Sequence, residues 1–234
     1  MKHTHLYIIR HGEAVVNVKP IIGGMKGDPG LTERGVAQVE SLRDRLAATG
    51  EIEADVVISS TLPRARQTAE ILAPSLGKPI TWDDDFQEIR VGESDGLTHK
   101  EAWERYGIPD FEVDPLRLIA PGGENWEQFS NRIRGAFQRV TNEHQGKTVV
   151  IVAHGGIIEG SFAYFLNVNT RTPVRLEFHS DNASLTAWEQ YTYKSHLCWR
   201  LTRYNDIAHL RDIGVQEALP WGDMDPEAIA HEVA

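Results

Sequence analysis

Apolar positions along the chain switch between short β-branched runs and longer stretches of helical period. Leu6 to Ile9 is an apolar run of strand length. After a loop rich in Gly and Pro, Val36, Val39, Leu42 and Leu46 recur at helical spacing. Thr32 suits the cap of that helix and Gly50 its end. Ala54 to Ser59 is a second β-branched run, and Pro63 suits the first position of a helix carrying Ala65, Ala69, Leu72 and Leu76, closed by Gly77. Ile80 to Trp82 and Phe86 to Val91 read as short strands, and Thr98 with Glu101 as a capping box opening a helix towards Tyr106. Phe129, Ile133, Phe137 and Val140 predict a longer helix ending near Gly146. Thr148 to Ala153 is the most strand-like run, and a helix follows from Gly155 or Gly156 to Leu166. Three more strands are expected around Val174 to Phe178, Ser184 to Trp188 and Leu197 to Tyr204. Beyond Asp212 the periodicity fades, which predicts a mobile tail.

Strands alternating with helices predict an α/β fold, a three-layer sandwich with a mainly parallel central sheet flanked by helices on both faces. No internal repeat or linker-like composition breaks the pattern. Residues 1–212 are therefore expected to form one domain, with a lid-like insertion over about 95–125 and a tail over 213–234. Trp103, Tyr106, Phe111 and Trp126 suit a lid or a core equally well.

Composition narrows the ligand class. A content of 41% hydrophobic and 25% charged residues is ordinary for a soluble chain, and no apolar segment is long enough to span a bilayer. The net charge of -10 disfavours nonspecific binding to nucleic acid or anionic membrane, which carry the same sign. An anionic ligand must then be captured by arginines converging on one pocket, within a Debye length of about 8 Å at physiological salt. The first apolar run is too short for the core of a secretory signal, and Cys198 stands alone, so an internal disulfide is excluded; both point to the cytoplasm.

Parallel sheets place ligands beyond the carboxyl ends of their strands. Three such ends carry polar clusters: Arg10-His11-Gly12, Ser59 to Arg64, and His154-Gly155-Gly156. Two arginines, two histidines and glycine-led helix starts, brought to one edge, suit a phosphoryl group, because free helix N–H groups attract anions and guanidinium matches phosphate oxygens. A rival lies in Gly92 to Gly96, which fits G-x-S-x-G with Ser94 as nucleophile, yet the preceding segment is not a buried strand and no oxyanion segment accompanies it. His3 and His5 lack a third ligand for a metal, and Asp83 to Asp85 reads as a solvated turn.

The stretch "LYIIRHGEAVVN" at Leu6 to Asn17 resembles the opening of the histidine phosphatase superfamily, also called phosphoglycerate mutase-like. "LTERG" at Leu31, "SSTLPRARQTA" at Ser59, "FQEIRVGESDG" at Phe86, "PGGENWEQFSNRI" at Pro121 and "VVIVAHGG" at Val149 follow in the family's order. The resemblance implies His11 as nucleophile, Arg10, Arg64 and a protonated His154 around the phosphate, and Glu88 as proton donor. It implies Asn17, Gly24 and Gly155 as further substrate contacts, no metal, no other cofactor, a small phosphorylated substrate and a homodimer. Elementary electrostatics agrees for His11: a cation about 4 Å away costs an imidazolium ~4 kcal/mol at an effective dielectric near 20, which keeps the ring neutral and nucleophilic. Asn125 stands where many relatives have serine, and Pro20 with Gly23-Gly24 where they often show Arg, Gln and Gly. The span between Glu88 and His154 is shorter than in the cofactor-dependent mutases, which favours a phosphatase over a mutase, and retention of His11, His154, Arg10, Arg64 and Glu88 together argues against a noncatalytic phospholigand-binding module.

Overall fold

β1 (His5–Arg10) takes a central place in the sheet because its side chains are apolar on both faces. Leu6 and Ile8 enter one core with Phe129, Ile133 and Phe137, while Ile9 enters the opposite core with Val39, Leu42 and Leu72. β4 (Thr148–Ala153) divides in the same way, Val149, Ile151 and Ala153 to the first core and Val150 and Val152 to the second, as the twofold period of a strand requires. Burying each such Leu, Ile or Val side chain contributes roughly 1.5–3 kcal/mol.

The computed structural model describes residues 2–111, 113–168 and 178–213. β2 (Val56–Ser59), β3 (Ile80–Trp82), β5 (Leu185–Tyr193) and β6 (His196–Asp206) complete a six-stranded sheet in the order β3-β2-β4-β1-β5-β6. The first four strands of that order run parallel, and β5 pairs antiparallel with both of its neighbours, β1 and β6. α2 (Glu33–Thr49) and α3 (Pro63–Leu76) cover one face, and α5 (Trp126–Glu143) and α6 (Gly155–Phe165) the other, giving the three layers. α1 (Val15–Val18) is a single turn after β1, and α4 (His99–Tyr106) lies between β3 and α5. Thr32 accepts from the Gly35 N–H to cap α2, and Gly50 and Gly77 end α2 and α3 in the left-handed conformation.

One expected strand is absent. Phe86 to Val91 forms no ladder: 3-10 turns at Asp84–Phe86 and Gly92–Ser94 bracket an irregular segment. Its carbonyls at Asp85, Gln87 and Glu88 accept from the Arg132 side chain, so they are not offered to a neighbouring strand. Asp83 to Asp85 is likewise more than a solvated turn, since Asp83 and Asp85 both pair with Arg139. The expected strand at Val174 to Phe178 lies outside the described residues except for Phe178, and so does the tail beyond Ile213. Among the described residues, no helix is long and apolar enough to cross a membrane.

Candidate active site

The carboxyl ends of β1, β2 and β4 converge, and the register of the ladder decides which side chains meet. Arg10 pairs with Ala153 across the β1–β4 ladder, so His11 and His154 follow at the same level, their ring centroids 5.2 Å apart. The chain turns sharply after His11. A Cβ on Gly12 would lie 2.5 Å from the Gly35 carbonyl, so only glycine lets β1 end this close to α2. The His11 carbonyl accepts from the Ala183 N–H at 3.0 Å and from Asn182 Nδ2 at 3.2 Å, which fixes the backbone under the ring.

Hydrogen bonding determines the His11 tautomer. Arg64 Nε lies 3.1 Å from His11 Nε2, and a guanidinium can only donate, so Nε2 carries the lone pair. Nδ1, 2.7 Å from the Gly12 carbonyl, then carries the hydrogen. Burial, followed by the charges of Arg64 and Arg10, holds the His11 pKa well below its ordinary 6.5.

Arg64 is itself held. It stands in the first turn of α3, opened by Pro63, and Asp28 Oδ2 accepts both its backbone N–H at 3.1 Å and Nη1 at 2.8 Å. This ion pair is nearly closed to solvent, and Nη1 also reaches the Gly23 carbonyl at 3.1 Å. Arg10 donates Nη1 to the Ser180 carbonyl, while its buried Nε has no partner among the described residues. Burial lowers the Arg10 pKa to about 10, with Glu88 acting against the shift and Arg64 adding to it, so the side chain stays charged at neutral pH.

Burial of His154 disfavours the protonated form that the resemblance implies. Its ring is fully buried, and desolvation together with Arg64, His11 and Arg10 holds its pKa well below 6.5. Nε2 pairs with Ser60 Oγ at 2.8 Å, and the buried Nδ1 has no partner among the described residues.

Glu88 reaches the cluster from the irregular segment. Its Oε2 accepts from the Gly156 N–H at 3.0 Å and Oε1 from the Ile89 N–H at 3.0 Å, which seats the carboxylate at the N-terminus of α6. A Cβ on Gly156 would lie 2.3 Å from Oε1, so glycine makes that approach possible.

The remaining expected residues fall unevenly. Asn17 borders the site: its Oδ1 accepts from Asn182 Nδ2 at 3.3 Å and from the Ala14 N–H at 2.9 Å. Gly155 abuts the Arg10 guanidinium and, as the first residue of α6, has an N–H that the helix cannot use. Gly24 has its N–H donated to Asp95 Oδ1 at 2.9 Å and brings no free donor. Ser94 of the rival reading is buried in a 3-10 turn, its Oγ without a partner among the described residues. Trp126 packs against the α5 core beside Phe129 and stacks with Phe111, while Tyr106 and Phe111 pack against a small third core of Ile22, Val91, Ala102, Ile119 and Ala120. Asn125 caps α5 by accepting from the Gln128 N–H at 2.8 Å, a role serine fills equally well.

Sequence reasoning missed Asp28, Ser60, Ser180, Asn182 and Arg132. Asp28 offered no local signal, because its pairing with Arg64 spans 36 positions and follows only from the fold.

Residues 6–207 match the family described as the histidine phosphatase superfamily, branch 1. A bifunctional protein of Mycobacterium tuberculosis is 34% identical over 191 residues, 80% of this chain and 50% of its own length. The chain thus spans about half the length of the first curated relatives it matches. A phosphoglycerate mutase-like protein of Arabidopsis thaliana is 28% identical over 229 residues, covering 94% of this chain and 93% of its own. The solved structure of a mycobacterial glucosyl-3-phosphoglycerate phosphatase superposes with a TM-score of 0.68 at 26% identity, covering 87% of this chain and 99% of that one.

Proposed function

Because this chain belongs to the histidine phosphatase superfamily, branch 1, we propose that it hydrolyses small phosphomonoesters through a phosphohistidine on His11. The observation that carries the reading is the His11 tautomer, with Nδ1–H on the Gly12 carbonyl and an unprotonated Nε2 among guanidinium groups. A phosphoryl group entering there meets polar groups without a partner among the described residues: Arg10 Nε and the Gly155 N–H as donors, with His154 Nδ1 beside them. His11 Nε2 attacks phosphorus, the P–O ester bond breaks, and Glu88 gives its proton to the departing oxygen. Glu88, now a carboxylate, takes a proton from water as that water attacks phosphorus. The P–N bond then breaks, releasing phosphate and returning neutral His11. Arg10 and Arg64 stabilise the charge on the non-bridging oxygens in both steps, so turnover persists in a chelator.

We read residues 95–125 as the roof of this pocket. The 23–27 loop supports that reading, because the Gly23 carbonyl touches Arg64 while the N–H groups of Gly24, Lys26 and Gly27 all donate to Asp95.

A panel of phosphomonoesters is the test. Phosphate release by the native chain, lost by about 10⁴-fold or more in His11→Ala, supports the phosphatase. Release that His11→Ala retains contradicts it, and rapid phosphoglycerate isomerisation with a bisphosphoglycerate primer and little hydrolysis replaces it with a mutase.

A further inference from the structure

Arg132, on α5, has every N–H donor committed. Nε donates to Glu124 Oε1 at 2.7 Å and Nη2 to Glu124 Oε2 at 2.6 Å. Nη1 donates to the carbonyls of Asp85 at 2.7 Å and Gln87 at 2.9 Å, and Nη2 also reaches the Glu88 carbonyl at 3.2 Å. These are the five donors a guanidinium possesses. Glu124 closes the frame from the other side: its Oε2 accepts from the Arg90 N–H at 2.9 Å, and its own N–H donates to the Arg90 carbonyl at 2.7 Å. Arg132 and Glu124 are both nearly closed to solvent.

The segment from Gln87 to Arg90, between the two 3-10 turns, has no strand partner among the described residues and no helical ladder, so this pair supplies bonds that a ladder would otherwise supply. Glu88 lies in the middle of it. We infer that Arg132, anchored by Glu124, is the positioning residue that sets the Glu88 carboxyl at the leaving-group side of the site. The inference rests on the reading of Glu88 as proton donor. The planar fork explains the choice of arginine: a lysine keeps the charge but has three donors on one atom and cannot bridge two carbonyls and a carboxylate in one plane.

Proton donation matters most when the leaving oxygen is a poor leaving group, and kcat/KM reports the steps through its departure. The test therefore compares p-nitrophenyl phosphate, whose leaving group departs readily, with glycerol 2-phosphate, whose alkoxide needs a proton. In Glu88→Gln the ratio of the two kcat/KM values, aryl over alkyl, is expected to rise by about 10²-fold or more. In Arg132→Lys it is expected to rise by about tenfold, because a misplaced acid is lost in part. Glu124→Gln is expected to shift the ratio in the same direction by less, and it carries the test should Arg132→Lys fail to fold. A shifted ratio in Glu88→Gln with no shift in either clamp variant overturns the inference alone, since a merely structural role lowers both substrates equally. No shift in Glu88→Gln overturns the acid assignment and the clamp with it.

Discussion

Arg10, His11 and His154 stand at the ends of adjacent strands, whereas Glu88 stands on a segment without a ladder. The strand-end groups are placed by backbone register: once Arg10 pairs with Ala153, the two histidines follow at one level. Glu88 is placed by side chains from elsewhere in the chain, Arg132 and Glu124, and by a glycine at the start of α6. A ladder shares its load over many bonds. A clamp concentrates it in one guanidinium, so single substitutions are expected to separate the two regions.

Asp28 tests the strand-end region and carries the largest expected effect. Its carboxylate is the buried partner of Arg64, and Asp28→Asn leaves that guanidinium uncompensated. The expected cost is about 3–5 kcal/mol, read as a lowered denaturant midpoint. An unchanged midpoint would mean that Arg64 needs no anchor.

Gly156 tests the other region. In Gly156→Ala the new Cβ would lie 2.3 Å from Glu88 Oε1 and 2.9 Å from the buried Phe129 ring, so both must give way, and the denaturant midpoint is read beside the rate. A shift of about 1 Å in a catalytic group costs on the order of 10²-fold in rate, which the kcat/KM for an alkyl phosphomonoester checks. Full activity in this variant would show that the carboxylate seat is irrelevant.

The smallest effect is read on one histidine of the pair, as a dependence of stability on pH. His11 and His154 titrate in the folded chain well below their ordinary 6.5. Between the two values the unfolded chain binds protons that the native chain does not. Their contribution is therefore complete above about pH 6.5 and falls as pH drops towards the folded values, by about 1.4 kcal/mol per pH unit for each histidine. Denaturation midpoints of the native chain and of His154→Gln, measured from pH 8 to 5, are expected to diverge on the acid side. Parallel curves would contradict the neutral buried ring.

The same contrast explains what was legible in the sequence. β-branched runs and helical periods are local, so β1, α2, α3 and β4 and the residues at their ends were readable within a residue or two. A strand at Phe86 to Val91 was the wrong reading because Phe86 and Val91 are buried and Ile89 is partly buried without any ladder. Local pattern reports burial, and it cannot report that Arg132, over forty positions away, accepts the role of a neighbouring strand. The charge state of His154 was equally nonlocal. Resemblance placed the residue, but the lowering of its pKa follows from full burial, with Arg64, His11 and Arg10 adding to it.

The most direct test of the whole account is a rapid quench of Glu88→Gln with p-nitrophenyl phosphate, followed by peptide mapping. The leaving group needs no acid, and loss of the base slows removal of the phosphoryl group, so an acid-labile, alkali-stable phosphoryl group is expected to accumulate on His11. A burst of nitrophenol with no phosphoryl group on His11, or with the label on another residue, would contradict the account.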